Sequence, residues 1–271
     1  MKFSLISRAA LACATLAAAS AQAAPLQNGS FNAGLSAWNA VGDVAVVTGT
    51  AAGHDFGNTA TLVLGTARLG TQDDAPAAAG TYNVSGTSAA MAGQTGGAEA
   101  NLGLSTGAFA SSVGADDAVE ASSAAQSFFL NAGDTISFTW QVLTRDAYAG
   151  NGDAVNDSAW LAFSLAADPQ QAATLTQTQL GNIGTLALSD ADTAGWRVSG
   201  LQTFSFTAST GGTARLGWGV NDMVDGAGTT LLAIRNVSVQ TAVPEPASIA
   251  LLFAALGLFG LFGLSSLRRR S

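Results

Sequence analysis

Thiol, imidazole and ammonium groups are almost missing from this chain. Cysteine occurs once, at Cys13, inside an apolar N-terminal run, so the rest of the sequence cannot form a disulfide and an exported form depends on packing. Histidine occurs once, at His54, beside Asp55 in a glycine-bounded loop. One imidazole and no downstream thiol argue against a zinc centre. A serine triad has no G-x-S-x-G elbow to start from. Lysine occurs once, at Lys2, and charged residues of all kinds make up only 10% of the chain. Acids exceed bases, giving a net charge of -8, which repels phosphate backbones and anionic lipid surfaces and argues against nucleic acid as a partner. The helix-favouring residues Glu and Lys are scarce, whereas Gly, Ala, Ser and Thr dominate, a composition suited to strands and turns.

What is present begins with two apolar ends. Lys2 and Arg8 precede the apolar stretch from Ala9 to Ala19, and Ala21-Gln22-Ala23 supplies small residues for cleavage. Residues 1–24 therefore read as a secretory signal peptide, with the Sec translocon and signal peptidase as partners. At the other end, Ile249 to Leu264 carries no polar side chain, and continuing to Leu267 adds two serines. As a helix this run would extend roughly 28 Å, close to the roughly 30 Å of a bilayer core. Pairing of backbone groups inside lipid requires a helix despite Gly257, Gly260 and Gly263. Arg268, Arg269 and Arg270 follow at once and hold the C-terminus in the cytoplasm, leaving the body on the far side. Upstream, Pro244 and Pro246 hold Glu245 in an extended segment that an enzyme could read.

Val243-Pro244-Glu245-Pro246-Ala247-Ser248, an apolar helix and an arginine cluster, in that order, resemble the PEP-CTERM sorting signal of Gram-negative bacteria. The layout is similar to the LPXTG tail of Gram-positive surface proteins. The resemblance implies that Pro244, Glu245 and Pro246 are recognised by the membrane enzyme exosortase. It also implies that the membrane helix, residues 248–267, is transient, with release or transfer to the cell envelope or an exopolysaccharide matrix. The organisation expected is a signal peptide (1–24), one β domain (25–241) and a sorting tail (242–271) with its motif at 243–246 and arginines at 268–270.

Between these ends lie roughly 220 residues, enough for one β domain with a sizeable core. Strands are expected at Val44 to Thr48, Thr61 to Leu64 and Ala125 to Leu130, the last followed by the turn Asn131-Ala132-Gly133-Asp134. The alternation of Ile136, Phe138, Trp140 and Val142 with polar residues gives one buried and one wet face. Leu161, Phe163 and Leu165 repeat it, as do Phe204 with Phe206, and Leu216, Trp218 and Val220. In the closing segment, Leu232 and Ile234 are out of phase with Val237 and Val239, and a bulge near Asn236 would reconcile them. Residues 71–100 are poor in large side chains and read as loop, with at most one weak strand near Tyr82 and Val84. Short alternating strands without intervening amphipathic helices predict an all-β, antiparallel, jelly-roll-like β-sandwich.

The opening Asn28-Gly29-Ser30-Phe31, with Leu35 to Trp38, resembles the start of galactose-binding-like and carbohydrate-binding jelly rolls, and Ile234 to Val239 is similar to their last strand. In such modules an acid after the Phe and an Asp in the last strand help hold calcium. Here Asn32 and Arg235 stand there, and a guanidinium cannot ligate a cation, so Arg235 is expected to replace the ion with its own charge. A different cluster, Asp146, Asn151, Asp153, Asn156 and Asp157, has the oxygen-donor composition of a calcium loop without EF-hand spacing, alongside the plain reading of an Asn/Asp turn. The pairs Asp73-Asp74 and Asp116-Asp117 read as solvated charge.

Among aromatics, Trp140 and Trp218 fall in phase with the core. Trp38, Trp160 and Trp196 are the candidates to stack on sugar rings, against the competing reading of buried plugs. The sequence thus predicts a non-catalytic, exported envelope or matrix protein associated with exopolysaccharide. A discrete carbohydrate-binding module with a ligand pocket is the alternative. A glycoside hydrolase would need two facing carboxylates.

Overall fold

The computed structural model describes residues 24–66, 97–109, 118–146, 157–166, 174–223 and 228–242. The signal segment up to residue 23, the sorting motif, the apolar run with its arginines, the strand expected near Tyr82 and the pairs Asp73-Asp74 and Asp116-Asp117 lie outside them. No helix among the described residues is long and apolar enough to cross a membrane.

Two antiparallel sheets form. The first contains β1 (Asn39–Val41), β6 (Ala118–Leu130), β12 (Gly212–Met223), β8 (Ser158–Ala166) and β9 (Thr174–Asn182), in that spatial order. The second runs β10 (Arg197–Val198), β7 (Thr135–Thr144), β13 (Thr230–Gln240), β5 (Thr61–Gly65), β2 (Asp43–Val47). Strand β11 (Gln202–Thr207) also pairs with β7, and β3 (Thr50–Ala51) with β4 (His54–Asp55) makes a separate two-stranded ribbon.

Period-two alternation decides which side chains meet between the sheets. Ile136, Phe138, Trp140 and Val142 of β7 and Leu232 and Ile234 of β13 face Leu161 and Phe163 of β8 and Leu216, Trp218 and Val220 of β12. Trp218 is fully buried, tilted on Trp38 at 5.1 Å and edge-on to Phe138 at 5.1 Å. The phase change expected in the last strand is real. Register shifts between Arg235 and Ser238, with Asn236 at φ +58°, a conformation its short amide tolerates better than most residues. Val237 thereby joins the core that Leu232 and Ile234 already occupy.

Both outer faces acquire further cover. Helix α1 (Ala98–Leu102), together with Leu104 and Phe109, packs on Ala121, Ala125, Trp160 and Ala162 of the first sheet. That approach is close enough to require glycine in β12: a Cβ on Gly217 would meet Leu102 at 2.6 Å, and one on Gly219 would meet Phe109 at 2.9 Å. Buried Glu99 ties the segment down, accepting the N–H of Gly107 at 2.7 Å and of Phe109 at 2.8 Å. On the second sheet, Phe56 and Trp196 pack over Val63, Leu143, Leu231 and Ala233. The covering segment here is the β3–β4 ribbon with the chain that leads into β10.

The loop expectation for 71–100 is corrected at its end, where α1 starts. Strand β9 had no apolar alternation to announce it, since Thr and Gln occupy most of its positions.

Candidate functional site

The three tryptophans expected to offer stacking faces are all buried: Trp38 at 6%, Trp160 at 2% and Trp196 at 1% exposure. Each indole N–H is satisfied internally. Trp38 donates to the carbonyl of Asn28 at 3.1 Å, Trp160 to Oδ1 of Asn221, and Trp196 to the carbonyl of Ala52 at 2.8 Å. The guanidinium of Arg145 lies 4.2 Å over the Trp196 ring. Trp160 does point away from the inter-sheet core, as its phase requires, but Phe109 stacks on it at 5.6 Å and closes that face. The sugar-stacking role is therefore corrected to packing, because segments distant in sequence cover each ring.

Arg235 sits on the outer face of β13, where Nη2 donates to Oε1 of Gln141 at 3.2 Å and Nη1 to the carbonyl of Phe56 at 3.5 Å. Asn32 is exposed. Arg235 thus bridges strand β7 to the cover over the second sheet. Of the calcium cluster, Asp146 and buried Asp157 are described, whereas Asn151, Asp153 and Asn156 lie outside the described residues. Asp146 follows β7 and Asp157 precedes β8, so both lie at one end of the sandwich, the end where β12 finishes at Met223. Among the described residues no group of three or more His, Cys, Asp or Glu gathers. His54 stands edge-on to Phe56, with Nδ1 3.8 Å from Asp192. Asp192 is held below the usual carboxylate range, first by the N–H of Trp196, and also by Ala194 and His54, with burial opposing.

Among the described residues, the part of the second sheet's outer face beyond Arg235 carries no covering segment and no charged side chain. Beyond Arg235 and Gln141, the second sheet presents Thr135, Ser137 and Thr139 from β7, Thr203, Ser205 and Thr207 from β11, and Ser238 and Gln240 from β13. Neighbouring hydroxyls bond across strands: Thr135 to Thr207 at 2.9 Å and Ser137 to Ser238 at 3.2 Å. Strand geometry spaces such groups about 4.8 Å across and about 7 Å along the sheet. Each hydroxyl donates one hydrogen bond and accepts two, the chemistry that a sugar hydroxyl matches.

A pocket of about 410 Å³ opens where the two ends of the body meet, lined by Leu26, Phe129, Asn131, Asp134, Val239 and Thr241 among others. Ala24 is fixed there through its carbonyl to the N–H of Phe129 at 3.0 Å. Asp134 is 3% exposed. Its Oδ2 accepts the backbone N–H of Asn131 at 2.8 Å and that residue's amide at 3.1 Å, and its Oδ1 accepts the N–H of Ala242 at 3.0 Å. Burial pushes this carboxyl up, but the Asn131 and Ala242 donors more than offset it and hold it below its ordinary value. The sequence marked Asp134 only as a turn residue. Its Asn-x-x-Asp self-closure was legible, but its bond to a residue 108 positions away was not.

These sheets define a class: an antiparallel β-sandwich of jelly-roll type. The chain also carries the PEP-CTERM protein-sorting motif, whose family model matches residues 242–270. That motif implies export with membrane-anchored sorting and processing by exosortase, and the tied residue Ala242 is its first. No curated protein matches the chain.

Among solved structures the chain is similar to TmCBM61 in complex with β-1,4-galactotriose, at 10% identity over 80% of this chain and 97% of that one, with a TM-score of 0.37. It is also similar to a CBM4 structure, at 10% identity over 78% and 99% with a TM-score of 0.31. A third is the N-terminal cellulose-binding domain of Cellulomonas fimi β-1,4-glucanase C, at 14% identity over 82% and 100% with a TM-score of 0.33. At these scores the likenesses carry no argument about this chain, whose fold is stated from its own strand pairing.

Proposed function

We propose that the protein is a non-catalytic component of the cell envelope or extracellular matrix that associates with exopolysaccharide through the open hydroxyl face of its second sheet. The observation that carries this reading is the uncharged array of Thr135, Ser137, Thr139, Thr203, Ser205 and Thr207 in a chain of net charge -8. A neutral face of donors and acceptors can lie along a polymer, making many weak contacts without the repulsion that the rest of the surface would impose on an acidic glycan. The alternative is a discrete ligand in the pocket beside Phe129, Asn131 and Asp134, whose volume is of the size that small-molecule sites use. Calcium at the end of the sandwich carrying Asp146 and Asp157 is part of the proposal, since both residues bear the hard oxygens that this ion takes.

The exported protein on a glycan array, with and without calcium, tests the reading. Thr135→Val, Thr203→Val and Thr207→Val together keep side-chain shape and remove three hydroxyls, and we expect polysaccharide binding to fall at least tenfold. Binding that survives these changes but is lost in Asn131→Ala would move the site to the pocket. No calcium dependence of either binding or melting would remove the ion from the proposal.

A further inference from the structure

We propose that β11 is the edge by which two copies of this chain join into one continuous sheet. Among the described residues the strand pairs with β7 on one side only. Ala208 donates its N–H to the carbonyl of Asp134 on that side. Alternation along an antiparallel strand then turns the N–H and C=O groups of Thr203, Ser205 and Thr207 toward the open side.

Exposed edges are usually blunted by charge, proline or a bulge. This one has none of these: from Val198 to Ala214 no side chain is ionisable and none is proline, and the β7–β11 register is unbroken. The edge is also apolar where it can be. Phe204 and Phe206 are only half-buried although they stack on Phe138 at 5.0 Å and pack on Phe163 at 4.7 Å. Leu201, just before the strand, is 57% exposed, the exposed large hydrophobic residue among those described.

The occupant is specified by the strand's own sequence. Thr203-Phe204-Ser205-Phe206-Thr207 reads the same in both directions. A two-fold axis at Ser205 therefore pairs Ser205 with itself, Thr203 with Thr207 and Phe204 with Phe206 of the other copy. Self-complementarity of this kind is what an isologous interface requires. The hydrogen-bonding residues would exchange about six backbone bonds, and the half-buried phenylalanines would cover one another at cross-strand distance. The neutral stretch matters, because copies of a strongly negative protein can approach only where charge is absent. The hydroxyl face described above would run unbroken across both copies.

The register makes the proposal testable with single cysteines, in a Cys13→Ser background and with the full chain exported to an oxidising compartment. Opposed Cα atoms in a hydrogen-bonded pair lie about 5.5 Å apart, which suits a disulfide. Ser205→Cys is expected to run as a linked dimer on a non-reducing gel. Thr203→Cys sits about 14 Å from its own copy and is expected to stay monomeric, whereas Thr203→Cys with Thr207→Cys links again. These side chains lie on the open face and leave the core untouched. A monomeric Ser205→Cys chain, equal linking by Thr203→Cys alone, or failure of the double variant to link would each overturn the proposal.

Discussion

Removing the carboxylate of Asp134 should loosen the point where the folded body hands over to its sorting tail. Asp134→Ala leaves two backbone N–H groups, those of Asn131 and Ala242, without their acceptor, while the Asn131 amide can turn to water. Hydrogen bonds to a charged group contribute about 1.5–3 kcal/mol each. Water reaches both donors in part, so a combined loss of about 2–3 kcal/mol is expected. For a domain of this size that corresponds to a fall in Tm of about 4–12 °C. Asp134→Asn keeps one carbonyl acceptor and should fall between the two.

The pH dependence has a definite sign. The folded carboxyl titrates below its ordinary value of 3.8, so its contribution is complete above that pH and disappears as pH falls through the lower folded value. Thermal scans by circular dichroism at pH 7 and pH 2.5 should therefore show a large gap between the native chain and Asp134→Ala at pH 7 that is narrower at pH 2.5. A gap below about 2 °C at pH 7, or one that is as wide in acid, would refute the idea that this ionised group fastens Ala242.

Two further outcomes follow from the packing. Gly217→Ala places a methyl 2.6 Å from Leu102, 3.0 Å from Ala125 and 3.1 Å from the Ala124 carbonyl, and the backbone oxygen cannot move aside cheaply. It should cost about 1–3 kcal/mol, read as a lower denaturation midpoint with an unchanged slope. Because Trp38, Trp140, Trp160, Trp196 and Trp218 are all at most 6% exposed, intrinsic fluorescence should be blue-shifted, resist iodide, and not respond to any glycan that binds. Strong iodide quenching, or a glycan-induced shift, would return the tryptophans to the binding surface.

What the chain determined locally was read without its structure. Alternation of Ile136, Phe138, Trp140 and Val142, and of Leu216, Trp218 and Val220, set the core face of β7 and β12. The phase slip between Ile234 and Val237 located a bulge, because pleating allows no other way to put both on one side. The terminal run, its prolines and its arginines marked the sorting motif, because a solvent as demanding as lipid leaves a long uniform imprint on sequence.

Tertiary structure decided everything that depended on a distant segment arriving. Trp160 is correctly out of phase with Leu161, yet it is buried because Phe109 and α1 cross over it. Trp196 is buried because Ala52 and Arg145 come to it from opposite parts of the chain. Strand β9 was invisible because its Thr and Gln positions carry no apolar period, and pairing with β8 alone makes it a strand. Asp134 looked like a turn residue until Ala242 was brought beside it. Periodicity reports which way a side chain points. Whether that direction ends in water depends on which other segment folds across it, and no local pattern encodes that.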